Sequence, residues 1–153
     1  MSKNTLVAYF SAEGNTASAA KILAKTLDAD AFEIKPVAPY TAADLDWTNS
    51  KSRSSVEMAD EQSRPAIAEK TDLSSYERVL IGFPVWWYVE PRIIDTFLES
   101  YDFTGKKIIL FATSGGSGIE KSVARLKKLY PSLDIAGGKR ITKSTAESWA
   151  KTL

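Results

Sequence analysis

Residues 11–17 of this 153-residue chain read Ser11-Ala12-Glu13-Gly14-Asn15-Thr16-Ala17, directly after the apolar run Leu6-Val7-Ala8-Tyr9-Phe10. Hydroxyls, an amide and a glycine between a buried strand and a helix are the parts of an anion seat. A helix N-terminus offers free N–H groups and a favourable dipole. Ser11, Asn15 and Thr16 add side-chain donors, and Gly14 lets the backbone approach closely or take positive φ. No Lys or Arg lies in the loop, so neutral donors are expected to hold a phosphate, with Glu13 turned to solvent. The Gly-Lys-Ser/Thr ending of a nucleoside-triphosphate loop and the Gly-x-Gly-x-x-Gly of a dinucleotide site are both missing. An ordinary strand–helix turn with Asn15 or Thr16 near the N-cap would read the same way.

A second cluster, Pro84-Val85-Trp86-Trp87-Tyr88, follows the apolar run Val79-Leu80-Ile81-Gly82-Phe83. Consecutive side chains diverge, so three rings in a row cannot all enter the core. At least one is expected at a surface or in a cleft, where an aromatic face stacks on a flat conjugated ring. Trp86 or Trp87 is expected to be that wall. A third loop, Thr113-Ser114-Gly115-Gly116-Ser117-Gly118, can bring main-chain amides and hydroxyls to the polar edge of a ligand. It could equally be a connection with Ser117 capping the next helix. A phosphate seat and a ring clamp in one small domain point to flavin mononucleotide, FMN.

The elements that would position these loops alternate strand with helix. Leu6–Phe10, Val79–Phe83 and Lys107–Ala112 read as strands buried on both faces. Asp30–Lys35 alternates, with Phe32 and Ile34 on one side. Leu133–Ile141 is a weaker last strand, broken by Gly137-Gly138. Helical spacing joins Ala20, Leu23, Ala24 and Leu27, then Ile94, Phe97, Leu98 and Tyr101, then Ile119, Val123, Leu126 and Tyr130. Pro91 suits the first turn of the middle helix, and Ser144-Thr145-Ala146-Glu147 reads as a capping box for a short terminal helix. Strands alternating with helices imply one α/β domain over residues 1–153, a parallel sheet covered on both faces. Five strands suit the order 2-1-3-4-5, in which ligands sit at the carboxyl ends near the switch point. All three loops fall there. Tyr40–Glu77 is poor in large apolar residues and reads as a solvated crossover with one exposed helix around Ser54–Ser63.

Composition narrows the chemistry. The chain holds no cysteine and no histidine. Disulfides, thiol nucleophiles and thiolate metal sites are excluded, and the usual general base and zinc ligand are missing. A low-molecular-weight cysteine phosphatase is excluded on the same ground. A response-regulator receiver is disfavoured, because this chain has no acidic cluster at Phe10–Gly14 and its third strand ends in Pro84 rather than Asp, Ser or Thr. Chemistry is left to a cofactor. A net charge of +1 gives no push toward nucleic acid or an anionic membrane. The N-terminus reads as a first strand rather than a signal peptide, no stretch approaches the ~20 apolar residues of a membrane span, and a cytoplasmic location is expected.

Taken together, these motifs resemble the flavodoxins, closest to short single-domain bacterial flavodoxin-like proteins. The resemblance rests on Ala8–Thr16, Gly82–Trp87, Pro91–Glu99 and Phe111–Gly118, and is weakest at 45–70. It implies a five-stranded flavodoxin fold, non-covalent FMN and one- or two-electron transfer. It makes 11–17 the phosphate loop, 84–88 the first ring-binding loop and 113–118 the second. Two departures stand out. Tyr88 occupies a place where many relatives carry glycine, and positive φ costs a bulky residue more than glycine. The near-neutral charge also differs from the acidic carriers that dock on basic reductases. The leading expectation is electron transfer to a redox partner protein or small-molecule acceptor, as a monomer or homodimer. The alternatives are an FMN-dependent NAD(P)H:quinone-type oxidoreductase, with Tyr40, Trp47 and Tyr88 forming a pocket above the flavin, and a non-catalytic interaction module without tight flavin.

Overall fold

The computed structural model describes residues 4–114 and 117–153. The roles expected of Gly115 and Gly116 lie outside the described residues. The order is β1 (Thr5–Tyr9), α1 (Asn15–Leu27), β2 (Asp30–Glu33), α2 (Arg53–Ala59), β3 (Arg78–Pro84), α3 (Arg92–Ser100), β4 (Lys107–Thr113), α4 (Glu120–Leu129), β5 (Asp134–Arg140) and α5 (Lys143–Ala150). All pairings are parallel, in the order β2-β1-β3-β4-β5. β1 therefore has β2 on one side and β3 on the other. The connection after β1 runs outward to β2 and the connection after β3 runs the other way to β4, and that opens a crevice above the carboxyl ends of β1 and β3.

Alternation along the central strands divides the core. Val7, Tyr9, Leu80 and Phe111 pack with Ala19, Ala20 and Leu23 of α1 and Ala146 and Ala150 of α5. Leu6, Ala8, Ile81, Phe83 and Leu110 pack with Ile93, Ile94, Phe97 and Leu98 of α3 and Leu126 of α4. Gly82 is required between them. A Cβ there would lie 2.1 Å from the Phe111 ring, and Phe111 is its register partner on β4.

Several local expectations need correction. Pro91 caps α3 from just outside rather than opening it, with φ −59° and ψ 148°. β5 is bulged rather than broken. Ile108 pairs Ile135 and Ile109 pairs Gly137, which leaves Ala136 as the extra residue. Gly137 takes φ 136°, and a Cβ on Gly138 would sit 2.8 Å from the Leu110 carbonyl oxygen. α5 begins at Lys143, and its reciprocal cap joins Thr142 to Thr145. The Thr142 N–H donates to Thr145 Oγ1 at 2.9 Å.

The crossover is also more ordered than its composition implies. α2 spans Arg53–Ala59, and Ser52 and Ser54 are buried. Arg53 lies over the Tyr40 ring at 3.8 Å, donates to Glu57 at 3.0 Å and donates to the Ala38 carbonyl at 2.6 Å. Arg92 donates to the Met58 carbonyl at 2.8 Å, which holds the last turn of α2 against α3. Among the described residues, no helix is long and apolar enough to cross a membrane.

Candidate functional site

The β1–α1 turn is shaped by Gly14, the N-cap, at φ 97°. Nothing lies within 4 Å of a Cβ placed there, so the glycine serves backbone conformation rather than space. The first helical bond runs from the Ser18 N–H to the Gly14 carbonyl at 3.0 Å. The N–H groups of Asn15, Thr16 and Ala17 are thus the ones a helix leaves without an intrahelical partner. Ala17 can contribute only its backbone, because its side chain packs against the α1–α5 core. Ser11 Oγ accepts from the Gly14 N–H at 3.0 Å, which leaves its own proton free to donate. Thr16 is buried, and its hydroxyl meets Thr113 Oγ1 at 2.7 Å. One proton serves that contact, so the pair keeps one O–H to offer elsewhere.

The aromatic loop is a tight hairpin. Trp86 and Val89 exchange backbone hydrogen bonds of 2.9 and 3.1 Å, and the two residues between them, Trp87 and Tyr88, take φ 49° and 72°. Positive φ at both central positions is the pattern of a type I′ turn, usually made with Asn and Gly. The strain of a Trp-Tyr pair there persists only because the flanks fix it. Trp86 is held edge-on by Phe10 and Tyr40, with centroids 5.7 and 5.4 Å away. Trp87 and Tyr88 are exposed. Tyr88 carries the Lys121 ammonium 4.8 Å above its ring.

Between these loops lies a cavity of about 550 Å³, inside the ~300–1,000 Å³ typical of small-molecule sites. It brings together Ser11, Asn15 and Thr16 with Pro84, Val85, Trp86, Trp87, Thr113 and Ser114. Gly14, Ala17, Tyr88, Ser117 and Gly118 do not line it. Tyr40 braces Trp86 from behind instead of forming a wall. Ser117 does not cap α4, whose N-cap is Ile119 without a side-chain bond. Its carbonyl accepts the Ser114 hydroxyl, and Arg140 grips Ser114 at Oγ (2.8 Å) and at the carbonyl (3.0 Å).

Three other stretches enter the cavity. Ile141, Thr142 and Lys143 come from the start of α5, and Leu45, Trp47 and Ser54 come from the crossover. Lys143 supplies a cation that the β1–α1 loop lacks, and Glu13 sits exposed on the rim. No sequence motif links Lys143 to residues 11–17. The signal was the α1–α5 packing, which places their N-termini side by side. The donors, the cation and the aromatic wall fit a phosphorylated, flat-ringed ligand. Among the described residues no group of His, Cys, Asp or Glu could hold a metal.

Behind the aromatic hairpin lies a buried charge cluster. Glu90 and Asp95 are fully buried. Arg125 of α4 bonds to Glu90 and, at 3.0 Å, to Asp95. Burial, and then the neighbouring Asp95 carboxylate, push Glu90 up to about 9. Glu90 therefore keeps its proton at neutral pH, and Arg125 balances the remaining charge. Desolvation lowers the neighbouring Arg92.

A family model described as flavodoxin matches residues 4–153. A candidate flavoprotein from Bacteroides uniformis ATCC 8492 is 48% identical, covers 99% of both chains and superposes with a TM-score of 0.93. One from Bacteroides eggerthii DSM 20697 is 46% identical over 97% of this chain and 96% of that one, with a TM-score of 0.92. A flavoprotein from Lactobacillus acidophilus NCFM, solved in complex with FMN, shares the fold at 24% identity, covering 97% of this chain and 99% of that one, with a TM-score of 0.77. The search of curated proteins found no match.

Proposed function

This chain belongs to the flavodoxin family, and from that premise we propose that it binds FMN non-covalently and transfers electrons through it. The observation that carries the reading is the cavity itself. Unpaired helix N–H groups, two hydroxyl-bearing loops and a tryptophan wall meet above the β1/β3 crevice. When bound, FMN supplies the one- and two-electron chemistry. The protein's part is to bind, orient and shield. Asn15, Thr16 and Ala17 would present backbone N–H groups to the phosphate, with the Ser11 hydroxyl and the Lys143 ammonium beside them. Trp86 and Trp87 would give the ring an apolar wall, and Thr113 and Ser114 would meet its polar edge. With no histidine and no cysteine in the chain, proton or acyl transfer by those groups has no place in this reading.

The test is to add FMN, desalt, and record the visible spectrum, with flavin fluorescence followed in titration. The expected result is a retained flavin spectrum with quenched fluorescence. A colourless protein and unquenched flavin would overturn the reading in favour of an interaction module. Rapid oxidation of NADH or NADPH by the loaded protein would move it from carrier to oxidoreductase.

A further inference from the structure

The crossover between β2 and β3 reaches the cavity at three residues, Leu45, Trp47 and Ser54. Two of them have no structural explanation in the fold. Ser54 is 2% exposed, and its hydroxyl has no hydrogen-bond partner. Buried hydroxyls are costly unless paired, and this one lines the cavity. Trp47 is 72% exposed, although a large ring normally finds apolar cover.

The segment carrying them is fixed in place. Thr41 and Asp44 exchange backbone-to-side-chain bonds of 2.9 and 3.1 Å. The Asp46 carboxylate accepts from both the N–H (3.1 Å) and the hydroxyl (2.5 Å) of Thr48, which turns the chain at Trp47. The Ser54 N–H donates to the Asp44 carbonyl at 2.9 Å and closes the loop on itself. Tyr40 joins this region to the hairpin, since it holds Trp86 on one side and Arg53 on the other.

A flat ring has two faces. The hairpin lines the cavity with Trp86 and Trp87, whereas Thr113 and Ser114 of the third loop bring no ring to it. We propose that segment 45–54 is a further flavin-binding element, in which Trp47 covers the ring and the Ser54 hydroxyl bonds to the bound molecule. This rests on the FMN reading above. It also gives the crossover a function, where its polar composition alone points to solvated chain.

The test compares the unsubstituted 153-residue chain with W47A, W47F and S54A. Each is titrated with FMN and with riboflavin by flavin fluorescence, and the urea midpoint of each flavin-free protein is recorded. Loss of one stacking ring predicts that W47A weakens both flavins by a similar factor, about tenfold, with W47F recovering most of it. S54A is expected to weaken both by about fivefold. The flavin-free midpoint of W47A should match the unsubstituted protein, because Trp47 is exposed without ligand. Flavin affinity unchanged in W47A, W47F and S54A, while the unsubstituted protein binds FMN tightly, would overturn this inference alone. Failure of the unsubstituted protein to bind either flavin would overturn the FMN reading and this inference with it.

Discussion

At the scale of single residues, the site depends on groups with unlike jobs. Among the described residues that line the cavity, Lys143 is the one cation, beside neutral donors. Lys143→Ala should weaken FMN by about two- to fivefold, the modest value of a solvent-screened charge, and leave riboflavin affinity unchanged, since riboflavin has no phosphate. Paired titrations check this. Glu90 gives a pH signature. Its carboxyl has the ordinary value of 4.5 in the unfolded chain and is pushed up to about 9 in the fold, by burial first and then by Asp95, with Arg125 opposing. Below pH 4.5 both states hold the proton. Between 4.5 and about 9 only the folded state does, so this group's contribution to stability is lost as pH rises through that window. Glu90→Gln should flatten the fall in urea midpoint between pH 6 and 9. The sequence exposed Ser11, Asn15, Trp86 and Trp87 because they sit next to apolar strand runs. It hid Lys143 and Ser54, which reach the cavity only through helix packing and a crossover. The Thr16 hydroxyl reads as a phosphate donor in sequence; in the fold it is paired with Thr113, and that pair keeps one O–H to offer.

At the scale of elements, backbone geometry is the deciding quantity. The Gly82 position on β3 has no room for a methyl, since Phe111 fills it. Gly82→Ala should destabilise the protein by ~1–3 kcal/mol, the usual cost of overpacking, as measured by urea unfolding. Tyr88 is the opposite case, an exposed residue at φ 72°. Tyr88→Gly should stabilise the flavin-free protein by about 0.5–1 kcal/mol, because relief of a left-handed backbone outweighs the lost Lys121 contact. Strands and helices were legible because apolar runs and 3.6-residue stripes mark them directly. The ends of elements were less so. The α5 cap lies two residues earlier than Ser144 because Thr142, not Ser144, leaves the strand in an extended conformation. The glycines of β5 read as a break because a bulge and a break share the same residues.

At the scale of the whole molecule, two helical layers enclose one sheet, and the site lies where the two halves of that sheet diverge. Ligand and fold are then coupled. A hundredfold excess of free FMN over its Kd should add about 2.7 kcal/mol to stability, a rise in melting temperature of ~5–10 °C for a chain of this size. A melting temperature indifferent to FMN would contradict the proposed site. The order 2-1-3-4-5 was within reach of the sequence, since it is a common habit of five-stranded parallel sheets with alternating helices. The crossover was not, because hydrogen bonds between polar side chains leave no periodic trace. The sheet also has two outer margins. β2 is four residues long, and β5 is kinked at Ala136 and ends in the exposed cations Lys139 and Arg140. Short, bent, charged margins repel the strand of a neighbouring molecule. The fold thus carries its own resistance to fibrous aggregation, without a single disulfide to lock it.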